Sequence, residues 1–208
     1  RNRNHEDTMS SLLASPRKAA LGGLAIAAAM LAIWLAAAGA DRVGLAAFLL
    51  RCVHVFAAML WVGMVWFVNF IQLAALAEAD DAGRGGILRS IVPRVAGVFR
   101  QASNVVFLTG VAMLATSGYL LDRLVFASAV HVPTARGALM AAGGIGGIVM
   151  WALVHMAIWP ALRIVLGEVP GDAVAKAAAR EKVQLCARLN LVLAIPVTFL
   201  MIAAAHLY

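Results

Sequence analysis

Along this chain, long uncharged runs alternate with short basic stretches. The clearest run is "HVFAAMLWVGMVWFVNFIQ", residues 54–72, in which no charge follows His54. A helix needs roughly 20 apolar residues to cross about 30 Å of hydrocarbon. Five runs meet that need and predict spans at about 19–40, 43–77, 101–121, 137–162 and 189–208. Arg17 and Lys18 before the first run, with "AGA" before Asp41, imitate a secretory signal. The run is longer than an ordinary signal core, so an uncleaved helix is expected. The fold class read here is all-α: a polytopic bundle of five transmembrane helices, residues 19–208, behind an N-terminal tail of residues 1–18.

Composition agrees. The chain is 63% hydrophobic and 13% charged, whereas soluble domains average about 45–50% apolar and about 25% charged. The net charge of +7 could suggest nucleic acid, but the basic residues sort by loop. Thirteen Lys and Arg fall in the tail, the 78–100 loop and the 163–188 loop, and four (Arg42, Arg51, Arg123 and Arg136) fall on the other side. The positive-inside rule then puts the N-terminus in the cytoplasm and the C-terminus outside. The expected location is the bacterial inner (cytoplasmic) membrane, multi-pass, with the lipid bilayer and not nucleic acid as partner. Cys52 and Cys186 fall near opposite faces and read as two unpaired thiols.

Two loops carry helical spacing. "GGILRSIVPRVAGVFRQ" is expected along the inner interface, kinked at Pro93. "GDAVAKAAAREKVQLCAR" has helix formers behind a capping Asp172 and is expected to extend the fifth helix into the cytoplasm.

Polar side chains inside a bilayer are costly and mark function or packing. Helix direction sorts them into two layers. The outer layer holds Arg51, His54, Thr116, Ser117, Tyr119 and His206; the inner holds Asn69, Gln72, Gln101, Asn104, His155, Trp159 and Asn190. Three- and four-residue steps put His54, Ala58, Trp61, Val65, Val68 and Gln72 on one face. The same steps predict a face of Gly144, Ile148, Trp151, His155 and Trp159 on span four. Gly143 and Gly147 make a GxxxG pair suited to close helix approach. Gly63 and Gly110 either serve the same purpose or leave room for something flat and bulky.

A lone membrane histidine is most often a packing residue. Two at matched depth on different helices, His54 and His206, point to a shared metal or cofactor. A b-type haem takes one or two axial histidines in an apolar pocket. His155 lies deeper and would serve a second site or a proton path. Arg51, one turn before His54, would either balance a haem propionate or anchor the helix end by snorkelling. Trp61 is a candidate wall for the same group, although tryptophans in such helices more often pack or mark the interface. His131 and His5 read as solvated residues of a loop and the tail. Pro196 is expected to open span five near Val192. The sequence has no Ser-His-Asp set, zinc spacing or phosphate loop, and no Asp or Glu inside a span, which argues against a carboxylate-driven pump.

Two segments carry a resemblance. "HVFAAMLWVGMVWFVNF" resembles the His-x6-Trp-x-Gly helix of the membrane domain of PuuD-type urate hydroxylases. "CARLNLVLAIPVTFLMIAAAHL" resembles that family's closing helix, with Asn190, Pro196, Phe199 and Met201 at matching places. More loosely, the first motif is similar to one in HemJ-type protoporphyrinogen oxidases and CopD-like copper proteins. The resemblance implies a membrane redox bundle in which His54 meets a haem and an exported c-type cytochrome is the electron partner. There is no Cys-x-x-Cys-His here, and Leu189 stands where the family has a histidine. The cytochrome is therefore expected as a separate partner, and urate hydroxylation by this chain alone is not implied. The expected function is a membrane redox subunit binding haem b. The alternative is a cofactor-free structural or assembly subunit of a larger respiratory or photosynthetic complex. A copper or small-solute transporter fits less well, for want of soft-metal pairs and internal repeats.

Overall fold

The computed structural model describes residues 15–39, 42–116 and 135–207. The tail with His5 and the loop with Ser117, Tyr119 and His131 lie outside them. The described chain is all helix, and five helices are long and apolar enough to cross a membrane: Pro16–Ala38, Gly44–Glu78, Asp81–Thr116, Ala135–Leu166 and Ala173–His206. This is a multi-pass membrane protein, with lipid as the environment of its apolar faces.

The chain divides into two units between Ala46 and Ala47. The first contains α1, Pro16–Ala38. Ser15 starts it, its hydroxyl accepting from the Lys18 amide at 3.3 Å, and Pro16 opens the first turn, where a missing N–H costs nothing. Gly39, at φ +66°, closes it.

The second unit is built from the other four spans. Helix α2, Arg42–Phe67, passes through a π-helical turn at Val68–Gln72 into α3, Leu73–Glu78. Helix α4 is Asp81–Ser90, capped by Asp80 Oδ1 on the Gly83 amide at 2.7 Å. Helix α5 is Val92–Thr116. The segment expected along the interface is therefore split. Its second half opens α5, and the break falls at Ile91. Pro93 is the second residue of α5, where no backbone N–H is needed, so it starts this helix and does not kink it.

Helix α6, Ala135–Ala152, passes through a second π-helical turn, Leu153–Ile158, into α7, Trp159–Leu166. Pro160 accounts for the widening: it cannot donate to the carbonyl four residues back, and its ring would collide with that carbonyl. The amide of Trp159 instead reaches Val154, five residues back. Gly167, at φ +80°, ends α7 in the left-handed region that glycine tolerates. Helix α8, Ala173–His206, is continuous for 34 residues, as Asp172 predicted: its Oδ1 accepts from the Ala175 amide at 2.7 Å. It runs on through Pro196.

All four spans of this unit supply the core, in which Trp61, Val65, Phe99, Ala102, Met150, Val154 and Ala194 pack together. The buried side of α8 is nearly all small: Ala179, Cys186, Ala187, Asn190, Ala194, Ala203 and Ala204. Small residues let helices approach closely where lipid offers no hydrophobic drive to associate. Both cysteines are unpaired thiols.

Candidate functional site

On α2 the predicted face holds. Trp61, Val65 and Gln72 are buried, while Phe56, Met59 and Leu60 face outward. On the fourth span it shifts. The buried residues are Gly143, Met150, Val154, Ala161 and Leu162, and Ile148 is exposed. Trp151, His155 and Trp159 flank this stripe at partial burial. The offset is one residue and is already present in α6, before the π-helical turn: Gly143 and Met150 are buried where Gly144 and Trp151 were expected.

Two polar clusters result. The first is small. His54 Nδ1 lies 2.9 Å from Thr109 Oγ1 on α5. That hydroxyl donates its one proton within α5, to Val105 O at 2.5 Å or Val106 O at 3.3 Å. With that proton on a carbonyl, Thr109 accepts from His54 Nδ1–H and the ring's lone pair is on Nε2. Gly110 makes the fit possible, since a Cβ there would stand 3.2 Å from His54 Cε1. Gly63 faces open space. The glycine at 110 thus makes room for a flat ring, the imidazole itself.

The other candidates near this cluster have separate settings. Trp61 is 4% exposed within the core, and its Nε1 has no partner among the described residues. Arg51 and His206 are exposed, and neither side chain forms a hydrogen bond or ion pair among the described residues. No hydrogen bond joins the two histidines among the described residues. Thr116 is turned back on its own helix, donating to Ala112 O at 2.9 Å.

The second cluster is larger and lies where both π-helical turns meet α5 and α8. Asn69 Nδ2 donates to Val65 O at 2.9 Å and across to Ala187 O on α8 at 3.1 Å. Trp151 Nε1 donates to Asn104 Oδ1 at 2.9 Å, and its ring stacks on Phe107 and His155 at 4.6 and 4.7 Å. His155 Nδ1 faces the Trp151 carbonyl at 3.1 Å. A carbonyl only accepts, so Nδ1 carries the proton and the bare Nε2 is left enclosed without a partner. Among the described residues, Asn190 is wholly buried with both amide ends unpartnered, and Gln72 Oε1 is enclosed and unpartnered too. Gln101 is exposed and stands apart from this group.

Between these residues lies a cavity with about 60 Å³ of room for water centres, lined by Asn69, Gln72, Phe99, Arg100, Val154, Trp159 and Ala187 among others. Arg100 stacks on Trp159, its Cζ 3.9 Å from the ring centroid, and its Nε is enclosed without a partner. Charge counting places this arginine in a loop. Helix α5 begins eight residues earlier and carries it into the bundle wall. Its place one turn before Ser103 and Asn104 was the available signal.

An enclosed polar atom without a partner costs about 1–3 kcal/mol. Replacing Thr109 by Val creates one, because His54 Nδ1–H loses its acceptor while shape is kept. Thr109→Val is expected to lower unfolding stability in detergent by about 1–3 kcal/mol, read from thermal denaturation, whereas Thr116→Val leaves it within about 0.5 kcal/mol. Equal effects would show that the Thr109 contact is incidental.

No family model, curated protein or solved structure matches this chain.

Proposed function

We propose that this protein is a membrane redox subunit that holds a b-type haem on His54 and exchanges electrons with an exported c-type cytochrome. The resemblance to the PuuD-type membrane domain suggests the reading, and one observation supports it best. A histidine that ligates iron usually donates its second ring nitrogen to a fixed acceptor, which sets the tautomer and raises the basicity of the ligating nitrogen. The geometry at His54 allows that arrangement: Nδ1 lies 2.9 Å from Thr109 Oγ1, which leaves Nε2 for the iron. The residues fit one axial position.

Haem, when bound, supplies one-electron chemistry. The chain's own groups hold and orient it. His54 would hold the iron, with its ring positioned by Thr109 and by the space at Gly110. Arg51, one turn earlier and exposed, is available to a propionate. His206 is the candidate for the second axial position, and His155, with its bare Nε2, for a second site. In this reading the N-terminus is cytoplasmic and the C-terminus outside in a bacterial inner membrane. The His54 end then faces the cytochrome, and exposed apolar faces dock other membrane subunits.

The test is the optical spectrum of protein purified from a haem-replete host. A Soret band that sharpens on dithionite reduction is expected. A colourless protein would sink this reading and leave the cofactor-free assembly subunit in its place.

A further inference from the structure

We infer that Arg100 and the cavity beside it form a binding site for an oxyanion, either a carboxylate or a phosphate group. The inference is independent of the haem reading and concerns the other cluster. A cation inside a membrane bundle is costly unless something answers its charge. Among the described residues, the ion pairs join Arg84 to Asp81 and Arg163 to Glu168; none reaches Arg100. No carboxylate lines the cavity. Trp159 covers one face of the guanidinium at 3.9 Å. A guanidinium stacked in this way keeps its edge donors in a fixed plane, the geometry that meets two oxygens of one acid. Nε, one of those donors, is enclosed and unpartnered.

Gln72 supplies the second element. It is 8% exposed and lines the same cavity, with one amide end enclosed and unpartnered. The two ends of an amide exchange by a half-turn of the side chain, so Gln72 offers its NH2 to the anion that Arg100 holds. The remaining walls, such as Phe99, Val154 and Ile158, are apolar, which strengthens the attraction by excluding water. A water needs about 10–15 Å³ of such space, so about 60 Å³ admits a few waters or one small acidic head. That head belongs either to a soluble anion or to an anionic lipid.

Two probes separate these sources. Inorganic phosphate is titrated calorimetrically into delipidated protein in neutral detergent. Phosphatidylglycerol retention is read by native mass spectrometry after passage through phosphatidylglycerol vesicles. At least one probe should bind wild type and Arg94→Gln alike, since Arg94 is exposed on the same helix and lines no part of the cavity. Binding should fall at least tenfold in Arg100→Gln. Phosphate binding marks a soluble ligand, and lipid retention alone marks a headgroup. Should Arg100→Gln fail to fold, Arg100→Lys decides: it keeps the charge but loses the planar fork, and binding should fall at least threefold. Failure of both probes on wild type, as a merely hydrated cavity would give, overturns the proposal. So does variant binding equal to wild type.

Discussion

Gly146→Val is expected to destabilise the bundle by about 1–3 kcal/mol through overpacking, while Gly147→Val, one residue on, leaves it nearly unchanged. A Cβ at Gly146 would drive into Val197 Cγ2 on α8. Valine is β-branched and stiff, so it cannot swing aside as the end of a long side chain can. A Cβ at Gly147 meets nothing within 4 Å. Both substitutions replace glycine in the same helix, so propensity cancels and the difference isolates the contact. Gly143 belongs with Gly146: a Cβ there would lie 3.3 Å from Met201 Sδ and 3.4 Å from Leu200 Cβ. The close approach of α6 to α8 thus rests on glycines three residues apart, not on the GxxxG pair Gly143 and Gly147. Thermal unfolding in detergent, both variants beside wild type, is the check, and equal losses would refute the assignment.

His54→Gly is the second large effect, expected as loss of the haem band with the helices intact. His54 is half-buried and outside the cluster of Trp61, Val65 and their core partners, so deleting its ring removes a ligand and leaves that core in place. His206→Ala should reduce haem retention less, because His206 is exposed and unconnected among the described residues. Removing the hydroxyl that meets His54 Nδ1, by Thr109→Val, should lower haem affinity by about 10–100-fold. A His54→Gly protein that keeps its full band would remove His54 from the site.

The five helices were legible because uncharged runs of spanning length leave few alternatives, and the start of α8 because Asp172 is an N-cap before good helix formers. The inner wall of α2 was legible as far as Val65, where simple helical spacing holds. On span four the buried face lies one residue from the expected one, because α6 turns its glycines Gly143 and Gly146 toward α8, and a run rich in glycine and alanine carries little pattern to fix that rotation. The partner of His54 was not legible either. Thr116, Ser117 and Tyr119 were the polar groups expected at its depth, and the structure brings Thr109 instead. Which turn of α5 meets which turn of α2 depends on side chains of both helices, and one helix's pattern does not contain it. Arg100 was hidden because a charge near a span's edge reads as loop until the helix start is known.

The central claim is that His54 Nε2 is a haem ligand, and chemical rescue tests it most directly. Haem-loaded wild type and His54→Gly are compared by absorption while free imidazole is titrated into the variant. The account predicts a Soret band in wild type, its loss in His54→Gly, and a saturable return with imidazole as it takes the vacated place beside Gly110. A wild type without the band, or a band indifferent to both the substitution and imidazole, would contradict it.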